Sequence, residues 1–216
     1  SAIMSFWEKK SKILATCPRG AAGYLRTEIE SLGFPVLSEI DTACQTEGTL
    51  EDTMLLNLHL RTAGRVLYQL QIFKVITPAA LYERLKAIPW EKIIFESGPD
   101  SYVCVTSAVD TPQIIDSRFA NMKAKDAIVD RIRDKTGLRP DSGPGKDRAL
   151  IHLYWRNDLA VIYIDTSGEH LSRRGYRKIP LAAPMRETLA ASLVMATGWK
   201  ADTPLINPMC GSGTLA

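Results

Sequence analysis

The stretch Asn207-Pro208-Met209-Cys210-Gly211-Ser212-Gly213-Thr214 limits the end of this chain more than any other feature. Small residues after an apolar run let a backbone turn closely beneath a ligand, and a following helix aims its N-terminal amides at the site. Ahead of this loop, Pro184 begins a helix with Leu189, Leu193 and Val194 among the small residues Ala190, Ala191 and Ala196, and Gly198 stops it. Pro204-Leu205-Ile206 then reads as a short strand. Helix, strand and glycine loop in that order are how a doubly wound α/β domain starts. Taken alone, Gly211 to Ala216 fits G-x-G-x-x-A, which leaves open a nicotinamide-dependent oxidoreductase and also a tight turn that binds nothing. A phosphate-gripping Walker loop is disfavoured, because no Gly-Lys-Ser/Thr is present.

Upstream, the periodicity predicts two small α+β units. Lys12–Cys17 reads as a strand ended by Pro18, and residues 19–32 as a helix with Gly33 as its stop. Val36–Cys44 and Gly48–Asp52 read as strands, 54–60 as a helix running to Ala63, and Arg65–Val75 as an alternating strand. Thr77-Pro78 pairs a capping threonine with proline at the first helical position, so a helix is predicted to about Ala87. Tyr102–Thr106 follows as a strand, and Ile114–Thr136 as a helix with Ile115, Phe119, Met122, Ile128, Val129 and Ile132 on its apolar side. Ala149–Trp155 and Leu159–Ile164, separated by Arg156-Asn157-Asp158, read as a hairpin. Trp90 and Trp155 are expected in the core more than as stacking platforms. After Ser167-Gly168 the segment HLSRRGYRK has no strong period and reads as a connector.

Charge matters here only once it is divided along the chain. The net charge is +3, yet residues 1–60 carry five basic and eight acidic groups, 118–148 nine basic against five acidic, and 171–186 five basic against none. Such clustering is expected where one face meets a polyanion, and a solvated helix face plus a basic linker is the plainer alternative. The four cysteines lack C-x-x-C spacing and the three histidines are dispersed, so neither a disulfide framework nor a metal site is expected. No apolar run reaches membrane-spanning length and no signal-peptide pattern opens the chain, so no membrane partner and a cytoplasmic location are the default expectations.

The loop Asn207–Thr214 resembles the D-P-x-C-G-S-G-T loop of a group of methyltransferases that use S-adenosylmethionine and modify nucleic acid. Upstream, in family order, Leu171-Ser172-Arg173-Arg174-Gly175-Tyr176-Arg177 is similar to their L-H-x-R-G-Y-R segment. Ala183–Ala191 is similar to their A-P-x-x-E-T-L-A-A helix, and Leu58–Leu67 and Asp165–Gly168 also resemble family stretches. By these motifs the chain resembles the THUMP-domain RNA methyltransferases, most closely the bacterial enzymes that methylate the exocyclic amine of guanine in 23S ribosomal RNA.

The resemblance implies an α+β chain: a ferredoxin-like unit over 1–74, a THUMP domain over 75–167, a basic connector over 168–183, and over 184–216 the first helix and strand of an α/β Rossmann-like methyltransferase domain. It implies S-adenosylmethionine as cofactor, with Asn207, Pro208, Cys210, Gly211, Ser212, Gly213, Thr214, Pro184 and Glu187 lining its site. Asn207 stands where the family has aspartate, and so brings no negative charge to the sulfonium. Cys210 reads better as a small side chain in a crowded loop than as a nucleophile. Structured RNA, ribosomal in particular, is the implied partner. Lys123, Lys125, Lys146, Arg148, Arg173, Arg174, Arg177 and Lys178 are the candidate phosphate contacts, and Tyr176 could stack on a base or pack against the catalytic domain. The family's catalytic N-P-P-[YF] motif does not occur in these 216 residues. The chain is therefore expected to be the RNA-binding front of a longer enzyme, inactive by itself and a poor binder of the cofactor. A stand-alone RNA-binding adaptor, or the RNA-binding module of another modifying enzyme, is the rival reading.

Overall fold

A computed structural model describes residues 8–94, 103–112, 116–140, 149–176 and 184–215. It contains two compact units. One runs to Val66 and takes up the chain again from Glu169; the other spans Leu67–Gly168.

In the first unit β1 (Ser11–Thr16) leads to α1 (Ala22–Ser31), β2 (Ser38–Ile40), β3 (Ala43–Gly48) and α2 (Leu50–His59). β1 and β2 both pair antiparallel with β3, the order being β2-β3-β1. Alternation in β1 sends Ile13 and Ala15 inward, where Leu25 and Ile29 of α1 and Leu56 of α2 are fully buried. Burial pushes the thiol of Cys17 up to about 12 and that of Cys44 up to about 11, so both are inert packing groups. Where Val36–Cys44 was predicted as one strand, Asp41 and Thr42 break it into β2 and the start of β3.

Gly48–Asp52 is not a strand beyond Gly48. Thr49 and Asp52 form a reciprocal capping box, Thr49 Oγ1 accepting the Asp52 N–H at 3.1 Å and Asp52 Oδ2 accepting the Thr49 N–H at 2.8 Å. Gly48 is required by space, because a Cβ there would sit 2.7 Å from Asp52 Oδ2. The helix ends at His59, short of Ala63. Later in this unit α6 (Glu187–Ala196) begins three residues after Pro184, and α1 packs against it. Leu205 and Ile206 lie in no strand; no described segment pairs with them, and Ile206 is 83% exposed.

β4 (Arg65–Lys74) leads into the second unit, which continues with α3 (Pro78–Lys86), α4 (Trp90–Ile93), β5 (Val103–Asp110), α5 (Ser117–Thr136), β6 (Ala149–Arg156) and β7 (Leu159–Asp165). The order is β4-β7-β6-β5, with β5 parallel to β6 and the other pairs antiparallel. Thr77 caps α3, its Oγ1 accepting the Ala80 N–H at 3.2 Å. The predicted hairpin closes at Arg156 and Leu159, and Asn157 takes the left-handed φ of 53° that this two-residue turn demands. Leu81 and Leu85 of α3, Trp90 of α4, and Ile128 and Ile132 of α5 share one core with Leu153 and Trp155 of β6.

The apolar stripe predicted for α5 is displaced in its first half. Phe119 and Met122 are exposed, while Ala120, Ala124 and Ala127 are buried and share that core with β5 and β6 residues. Ile114 and Ile115 lie outside the described residues. No helix among the described residues is long and apolar enough to cross a membrane.

Arg131 on α5 grips Glu91 with two parallel hydrogen bonds of 2.9 and 3.0 Å, which hold the half-buried carboxyl below its ordinary pKa. A depressed folded value stabilises above the unfolded value of about 4.3 and is lost as pH falls. Glu91→Gln is therefore expected to lower the melting temperature at neutral pH and to converge with the parent only as pH falls through the depressed folded value, read from thermal melts across a pH series.

Candidate functional site

The turn Leu60-Arg61-Thr62-Ala63-Gly64-Arg65 is held from three sides within the first unit. The carboxylate of Glu28 on α1 accepts the Arg61 N–H at 3.0 Å, the Thr62 N–H at 3.0 Å and the Thr62 hydroxyl at 2.6 Å. Gly64 N–H donates to the Thr16 carbonyl at 2.7 Å, and the Gly64 carbonyl accepts the Leu171 N–H at 2.8 Å. The connector thus starts as a strap across this turn. Gly64 leaves room for the His170 ring, whose Nε2 would lie 2.4 Å from a Cβ at this position. His170 Nδ1 in turn accepts the Ser172 N–H at 3.1 Å.

Two residues on, Arg174 closes the end of α2. A helix leaves its last carbonyls without partners and carries partial negative charge there. The Arg174 guanidinium donates to the carbonyls of Asn57 at 3.1 Å, Leu58 at 3.4 Å and Leu60. Its backbone N–H donates at 2.9 Å to Glu187 Oε2. Glu187, buried, stands in the first turn of α6, where the helix dipole favours a carboxylate. Tyr176, half-exposed, donates its hydroxyl to the Thr214 carbonyl over a long 3.3 Å.

The glycine loop is a chain of turns. Asn207 Oδ1 accepts the Met209 N–H at 3.2 Å, an Asx turn that aspartate would make equally well. Gly213 N–H donates to the Cys210 carbonyl at 2.8 Å, and the Ser212 and Thr214 hydroxyls lie 3.2 Å apart. Gly211 and Gly213 have φ of 53° and 76°, which a side chain would strain, and a Cβ at either meets open space. The backbone of this loop is therefore open to close approach. Cys210 is exposed, its Sγ 3.7 Å from the Gly211 carbonyl oxygen.

A cavity of about 510 Å³ lies in the same unit. Its floor is α6 at Ala190, Ala191 and Val194, and its rim includes Tyr176, Thr214 and the exposed Arg61. Of the residues expected to line a cofactor site, Glu187 and Thr214 line this cavity. Asn207, Pro208, Cys210, Gly211, Ser212 and Gly213 lie beside it in sequence without lining it, and Pro184 is exposed ahead of α6.

The expected phosphate contacts fall in different places. Lys123 and Lys125 are on α5 of the second unit, with Lys123 Nζ 5.8 Å from the centre of the exposed Phe119 ring. Arg173 is exposed in a surface ion pair with Glu169 at 3.2 Å. The Arg174 guanidinium, expected at phosphate, is turned onto the carbonyls at the end of α2. Tyr176 lies against the glycine loop. Lys146, Arg148, Arg177 and Lys178 lie outside the described residues. Arg61, which lies within the family-like stretch Leu58–Leu67, is not among the sequence-predicted site residues, yet it lines the cavity.

Three family models match the chain in order: the RlmL ferredoxin-like domain over residues 12–67, the THUMP domain over 77–165, and UPF0020, the RMKL-like methyltransferase domain, over 174–216. The chain is similar to "Ribosomal RNA large subunit methyltransferase K/L" of Syntrophotalea carbinolica, 35% identical over 208 residues that make up 94% of this chain and 29% of that protein. The chain thus spans under a third of the length of this curated relative. Among solved structures, a "predicted N6-adenine-specific DNA methylase" from Listeria monocytogenes is 31% identical with a TM-score of 0.82, over 96% of this chain and 53% of that one. Another, described as "a putative methyltransferase complexed with SAH", is 26% identical with a TM-score of 0.80, over 96% and 54%.

Proposed function

We propose that this chain, which carries an RlmL ferredoxin-like domain, a THUMP domain and an RMKL-like methyltransferase segment, is the RNA-binding front of an S-adenosylmethionine-dependent RNA methyltransferase. Its target is the exocyclic amine of guanine in 23S ribosomal RNA. The observation that carries the reading is one chain holding, in order, an RNA-binding domain and the open loop Cys210–Thr214 at the edge of a cavity. The printed name of the K/L relative supports ribosomal RNA, and the SAH complex of a structural relative supports the methyl donor.

The loop fits that donor in one respect and departs in another. Left-handed glycines at 211 and 213, with nothing above them, allow a ligand to lie against bare backbone. Asn207 keeps its turn but supplies no charge to a cation. The donor supplies an electrophilic methyl on a sulfonium centre. The residues of this chain bind and orient: Gly211 and Gly213 give close approach, Thr214 and Ser212 offer hydroxyls, and Lys123, Lys125 and Arg173 meet phosphate. Without an N-P-P-[YF] motif to hold the target amine, these 216 residues transfer no methyl group by themselves. Action on ribosomal RNA supports a cytoplasmic location.

The test is methyl transfer by a protein in which this chain is continued by a complete methyltransferase domain. With labelled S-adenosylmethionine and unmodified 23S RNA, label is expected in N2-methylguanosine on nucleoside analysis, and none with the 216 residues alone. The name of the Listeria relative favours a second target, the adenine N6 amine. Label in N6-methyladenosine would establish that target and remove the guanine assignment, and no label in either would remove the methyltransferase reading.

A further inference from the structure

We infer that Arg174 and Tyr176 are positioning residues for the methyl-donor loop and not contacts to RNA. The inference rests on the methyltransferase reading above and deepens it. Both residues belong to a basic segment whose composition points to phosphate, and both are exposed, yet their polar groups bond to backbone carbonyls of this chain. The Arg174 fork spans three carbonyls at the end of α2, and its own N–H holds the buried Glu187 carboxylate at the start of α6. Two residues later, the Tyr176 hydroxyl reaches the Thr214 carbonyl at the end of the glycine loop. Within three residues, Arg174 to Tyr176, the connector therefore ties together the close of one helix, the opening of another and the end of the glycine loop.

Such a latch acts on affinity by population. A loop built from two left-handed glycines has many accessible conformations, and a ligand binds only the fraction already arranged to receive it. Tyr176 and Glu187 both line the cavity, so the latch sets the loop against the same wall that a donor would meet. The guanidinium geometry matters as well as its charge, since a lysine ammonium cannot span the carbonyls that the planar fork reaches.

Two conservative variants separate this role from an RNA contact. Arg174→Lys keeps the positive charge that a phosphate contact needs, and Tyr176→Phe keeps the ring that base stacking needs. Each is made in the protein carried through its complete methyltransferase domain. S-adenosylhomocysteine binding is measured by calorimetry and RNA binding by filter retention. Each variant is expected to weaken S-adenosylhomocysteine binding about three- to tenfold and to raise the KM for S-adenosylmethionine, with kcat and RNA affinity within about twofold of the parent. A merely structural role would lower the melting temperature without this split. Unchanged S-adenosylhomocysteine affinity in both variants, or a loss of RNA affinity in either, overturns the inference. If the parent itself fails to bind S-adenosylhomocysteine, the methyltransferase reading falls first and takes the inference with it.

Discussion

Replacing Trp155 with alanine is expected to destabilise the unit spanning Leu67–Gly168 by about 3–5 kcal/mol, the usual cost of removing a large buried aromatic side chain. Trp155 is fully buried on β6, and its indole N–H donates to the Val75 carbonyl at 3.2 Å. The change would leave a cavity among Leu81, Leu85, Trp90 and Ile128, and an unpartnered carbonyl beside it. Trp155→Phe, which fills most of the space without the N–H, should fall between the two. Because the chain has two units, the loss is best read by hydrogen exchange at β6 and β7 amides, which reports on this unit. RNA affinity per folded molecule should not change; a selective loss of RNA binding with full stability would mean that Trp155 is a stacking platform after all.

Glu28→Ala is expected to cost the other unit about 2–4 kcal/mol, since one carboxylate accepts three hydrogen bonds and two of its donors belong to the fully buried Thr62. Removing it leaves those donors without a partner inside the fold, a larger penalty than the net worth of the bonds themselves. Glutamine restores an acceptor but sets its NH2 against a row of donors, so Glu28→Gln should recover only part of the loss. The turn that Glu28 holds also carries Gly64, against which His170 and Leu171 are laid. Faster tryptic cleavage after Arg173 and Arg174 should accompany the loss of stability. Unchanged cleavage and an unchanged urea midpoint would show that Thr16 and Leu171 hold the turn without Glu28.

Local signals in the sequence located most elements. The β6–β7 hairpin followed from two apolar runs on either side of Arg156-Asn157-Asp158, and α3 from a threonine cap followed by proline. The errors also have physical causes. Gly48 and Thr49 suggested a strand, whereas the spacing from Thr49 to Asp52 is that of a capping box, which starts a helix. On α5 the expected stripe holds at Ile128, Val129 and Ile132, but in the first half close helix approach buries alanines and leaves Phe119 and Met122 outside. Leu205 and Ile206 have strand composition, yet a strand exists only where another pairs with it.

The site was legible as a motif and illegible as a geometry. Gly211 and Gly213 announced a close-approach loop, and both take left-handed dihedrals. Nothing local tells that Arg174 faces helix carbonyls, for Asn57 lies 117 residues earlier in the chain. Composition marks a cation; only the fold says what it faces. The same holds for Glu28, whose partners Arg61 and Thr62 come after an intervening strand pair and helix.

The most direct test of the central claim, that this chain is an RNA-binding front end, is the affinity of the 216 residues for a 23S ribosomal RNA transcript measured across a salt series. Four or more phosphate contacts predict that log Kd rises with log salt at a slope of about 3 or steeper, and that Lys123→Glu with Lys125→Glu lowers the slope by about 1 or more. A slope near zero, or one untouched by those charge reversals, would contradict the account.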